Sequence, residues 1–144
     1  MTGEIEEAVK LLRGAAEYCW AEPKRVDLAI QNIGEAVKFL GPAVENWKVN
    51  EARRTALVAL GDILKEVLKF EREVAIRLEM INRADTLDAS VNTPSLSAAE
   101  KRMDLDCLEV ALYGVQHAQE DVIRSKRHID SKLHTIIAVL ESLP

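Results

Sequence analysis

Apolar residues recur along this chain in alternating steps of three and four, in four separate blocks, which is the pattern of amphipathic helices. The longest block comes last. Leu105, Leu108, Leu112, Val115, Val122, Ile129, Leu133, Ile136, Leu140 and Leu143 share one seam, with Gln119 and Lys126 as its polar steps. It predicts one nearly unbroken helix over residues 97–143. A second seam, Leu57, Leu60, Leu64, Val67, Val74, Leu78 and Ile81 with Glu71 as its polar step, predicts a long helix reaching residues 85–88. Two shorter blocks precede these. Ile5, Val9, Leu12, Ala16 and Cys19 predict a helix over 2–20, and Val26, Ile30, Ile33, Val37 and Leu40 line the face of a second.

The interruptions are read from their chemistry. Pro23 suits the first residue of the second helix, where its missing N–H is no loss. Gly41 suits a left-handed cap, and Pro42 opens the next element. Residues 42–47 look like a turn or two of helix with Val44 and Trp47 inward. Their phase does not match the next seam, so the third helix either kinks near 46–50, which we favour, or restarts with Asn50 as its N-cap. Residues 88–96 form the one clear loop, and Ser97 with Glu100 fits the capping box that starts the last helix.

A short loop between two long helices predicts an antiparallel hairpin. With its turn centred near residue 91 or 92, Gly114 faces Lys69 or Phe70, and Gly61 faces Val122 or Ile123. A glycine inside a helix costs about 1 kcal/mol relative to alanine, so the two predict close helix approach. The last helix would run roughly 65–70 Å and the first two about 27 Å each. A compact globule of this chain length is only about 40 Å across. The expectation is therefore an all-α, elongated helical bundle, a single domain over 1–144, with two short helices plus a long antiparallel helical hairpin. The short helices cannot cover the whole hairpin, and leaving several hundred Å² of apolar seam in water costs many kcal/mol at about 25 cal/mol per Å². A second copy would cover it, so a homodimer is expected, its two-fold axis near the middle or open end of the hairpin.

Composition narrows the function classes. The net charge of −5 is spread evenly, with no basic arm, which argues against a general nucleic-acid or anionic-membrane binder. The first residues are acidic and amphipathic rather than basic and then apolar, so no secretory leader is read there. No uncharged run approaches the length of a membrane span. Cys19 and Cys107, without a CxxC or a neighbouring histidine, read as reduced thiols, and the expected location is cytoplasmic.

Candidate chemistry gathers on the last helix. His117, Asp121, Arg124 and His128 share a face, but the ExxH pairs of di-iron bundles are missing: Gly114, Ser125 and Ser131 stand three before the histidines. We read that face as solvated and expect neither metal nor cofactor. Arg124, Lys126, Arg127, His128 and Lys132 make a basic cluster near the open end, with Arg53 and Arg54 folded back beside them. Asp85, Asp88, Glu100, Asp104, Asp106 and Glu109 gather at the turn. Such polarity can set the register of docking between chains, or the basic end can form a phosphate or RNA site. Alternatively, each charge pairs along its own helix. Trp20 and Trp47 are expected as packed caps with their indole N–H groups hydrogen-bonded.

Arg127 followed by His134 resembles the motif of HEPN ribonucleases, all-α dimers that carry it on a late helix. The resemblance covers two residues and a fold class. It implies that Arg127 and His134 of two subunits meet at the dimer interface to cleave RNA. No other catalytic signature is present, and the primary expectation is a non-catalytic protein–protein interaction, assembly or regulatory factor acting as a homo-oligomer, with an unidentified protein partner.

Overall fold

The computed structural model describes residues 3–21, 25–41, 47–94 and 97–143, and every regular element among them is an α-helix. They are α1 (Gly3–Trp20), α2 (Val26–Leu40), α3 (Trp47–Val91) and α4 (Ala98–Glu141). The two short and two long helices stand where the apolar periodicity places them, although α3 runs past residue 88 to Val91. Pro23 and residues 42–46 lie outside the described residues. Asn50 falls inside the first turn of α3, so it does not restart a helix there.

Three local signals resolve differently from one another. Ser97 Oγ accepts a hydrogen bond from the Glu100 backbone N–H at 3.2 Å and donates to Glu100 Oε1 at 3.0 Å, so the cap at the start of α4 forms. Gly41, expected in a left-handed cap, is instead right-handed helical at φ −65°, ψ −46°, and its N–H reaches the Val37 carbonyl at 2.9 Å. Its glycine freedom is unused, because the helix simply ends with one more intrahelical bond. Gly14 is different. A Cβ there would stand 2.7 Å from Nδ2 of Asn32, which donates to the Leu11 carbonyl at 3.2 Å, so glycine admits the α2 side chain that ties α1 to α2.

The chain divides into two compact units. The first comprises Met1–Lys69 with Ser125–Pro144. Four helical segments share its core: Ile5, Leu12 and Cys19 of α1, Ile33 and Leu40 of α2, Leu60 and Ile63 of α3, and Ile129, Leu133 and Leu140 of α4, all almost fully buried. Ion pairs bind the segments at the surface: Arg13 with Glu141, and Lys132 with Glu66 at 3.2 Å. The buried stripe of α3 here is Ala56, Leu60, Ile63 and Val67, so Leu57 and Leu64 lie to one side of it, half-buried.

The second unit, Phe70–Arg124, holds only segments of α3 and α4. Its interior mixes alanines with larger residues. Ala84, Ala111 and Ala118 are buried, together with Phe70, Val91 and Val122. Ser90 Oγ donates to Asp104 Oδ2 at 2.7 Å, and a Cβ on Gly114 would lie 3.4 Å from Met80 Sδ. Both pairings centre on residue 97, not on 91 or 92. Gly114 therefore faces Met80 rather than Lys69 or Phe70, a displacement of about ten residues, or about 15 Å. The expected close approach at Gly61 is absent, with nothing within 4 Å of a Cβ built there. The pairing centre lies later than expected because α3 continues to Val91 and α4 begins only at Ala98.

Candidate interaction surface

Several large apolar side chains of the second unit face outward although Phe70, Val91 and Val122 are buried. Leu78, Leu105 and Leu112, seam residues by sequence, are 59%, 48% and 54% exposed. Ile76, Met103, Val110 and Tyr113 are exposed as well. On one side of this unit lies a largely apolar groove of about 890 Å³, walled by Met80, Arg83 and Leu87 of α3 and by Cys107, Val110 and Gly114 of α4. Asp106 lines the same groove. Neither Arg83 nor Asp106 is in an ion pair among the described residues. Cys107 is free and exposed there, whereas Cys19 is free and buried in the first unit. Burial pushes the Cys19 thiol up to about 11, opposed by the charge of Lys126 and reinforced by Asp130.

Arg53 and Arg54 do not join Lys126, Arg127, His128 and Lys132, which follow one another on α4. Arg53 is 3% exposed; its Nη2 donates to the Phe39 carbonyl at 3.0 Å and stands 3.7 Å from Glu4. Its Nε and Nη1 are buried without a hydrogen-bond partner. Lys132 sits level with Glu66, thirteen residues further along α3, so Arg53 and Arg54 are not folded back beside it. Lys126 Nζ lies 3.7 Å from the Trp20 ring centroid, a cation–π contact at a tryptophan that is 46% exposed rather than a packed cap. Trp47 is also exposed, with Lys48 Nζ 5.9 Å from its ring. Arg54, Arg127 and His128 are exposed on their helices. Arg124, in the second unit, pairs with Asp121 at 3.2 Å.

Arg127 and His134 are both exposed on α4, two helical turns apart. His134 Nδ1 is 2.9 Å from the Asp130 carbonyl oxygen. The ring borders a cleft of about 360 Å³ with Arg13, Glu17, Trp20 and Ile137, and Arg127 is not part of that lining. His117 packs edge-on against Tyr113, ring centroids 4.5 Å apart. Among the described residues, no three His, Cys, Asp or Glu side chains are placed to hold a metal ion. No helix among them is long and apolar enough to cross a membrane.

Sequence reasoning missed the groove because it followed the bulkiest residues. The signal was present in the seven-residue spacing of Ala84 to Val91 and of Ala111 to Ala118, a small-residue stripe beneath the leucines. No family model, curated protein or solved structure matches the chain.

Proposed function

We propose that this protein is a non-catalytic association factor, acting in the cytoplasm as a homo-oligomer in which α3 and α4 form one antiparallel hairpin. The observation that carries the reading is the apolar exposure of the second unit: Ile76, Leu78, Met103, Leu105, Val110, Leu112 and Tyr113 are all exposed. A lone pair of helices with a thin interior and wet outer faces is unfavourable by roughly 10 kcal/mol for each 400 Å² of apolar surface that a partner would cover. Large exposed apolar patches on folded proteins mark interaction sites. The pairings Ser90–Asp104 and Met80–Gly114 support the antiparallel hairpin, since both share one centre.

Two differently tagged copies expressed together test this directly. Each tag is expected to retain the other copy, and the purified protein is expected to leave a fluorogenic RNA intact. Failure of the tags to co-purify at high expression contradicts self-association. RNA cleavage by the wild type that His134→Ala abolishes, with helicity unchanged, contradicts the non-catalytic assignment.

A further inference from the structure

We draw no further inference here: the strongest candidate, the largely apolar groove of the second unit between Met80 and Leu87 on α3 and Cys107 and Val110 on α4, carries nothing because nothing in the structure shows what covers it.

Discussion

Cys19 and Cys107 differ in environment enough to be told apart in solution. Burial holds the Cys19 thiol neutral, with its proton retained to about 11, while Cys107 faces water in the groove. A thiol reagent at neutral pH is expected to modify one cysteine per chain quickly and the second only on unfolding; two fast cysteines would contradict the burial of Cys19. The raised pKa also fixes a pH dependence. A group that binds its proton more tightly when folded adds stability that is complete below its unfolded value, here the ordinary 9.0, and is lost as pH climbs toward 11. Denaturant midpoints should therefore fall between pH 9 and 11 in the wild type and fall less in Cys19→Ala. Arg53 gives a second residue-scale prediction. Two of its nitrogens are buried without partners, a desolvation cost of roughly 1–3 kcal/mol each. Arg53→Met keeps the aliphatic stem and sheds that cost against the lost bond to Phe39 and a largely solvated ion pair with Glu4, so the unfolding midpoint should not drop. Gly14 and Asn32 should be coupled: Gly14→Ala is expected to help by about 1 kcal/mol only once Asn32→Ala has removed the amide that a methyl would strike.

Among the elements, existence and approximate ends were legible because a three-four apolar period and the Ser97–Glu100 cap are local signals. Which face of a long helix turns inward was legible only where bulky residues are the interior. Along α4 this holds for Ile129, Leu133, Ile136 and Leu140, and it fails for Leu105 and Leu112. There Ala111, Ala118 and Val122 are the buried residues of α4 instead. The placing of Arg53 and Arg54 beside the basic residues of α4 went astray for a separate reason. It assumed a turn centred at 91 or 92, and Lys132 with Glu66 shows how far Arg53 and Arg54 lie from that level. The two halves of α4 should respond oppositely to truncation. Leu133→Ala removes a fully buried side chain and is expected to cost about 2–5 kcal/mol of folding stability, visible in a denaturant melt. Val110→Glu, at a position 73% exposed, should leave the melt of a dilute sample unchanged and abolish self-association.

For the chain as a whole, the two units differ in how completely each is furnished. The first closes a core from four helical segments; the second has two segments and few fully buried side chains. Amide exchange should reflect this, with slow protection around Leu12, Leu60 and Leu133 and fast opening through residues 70–124 that slows as concentration rises. A net charge of −5, evenly spread, would oppose the proposed self-association only weakly. Sedimentation equilibrium of the wild-type chain across a hundredfold range of concentration tests this most directly. The account predicts a reversible shift from the 16.1 kDa monomer to twice that mass. A constant 16.1 kDa up to the highest concentration, with helicity intact, would contradict it.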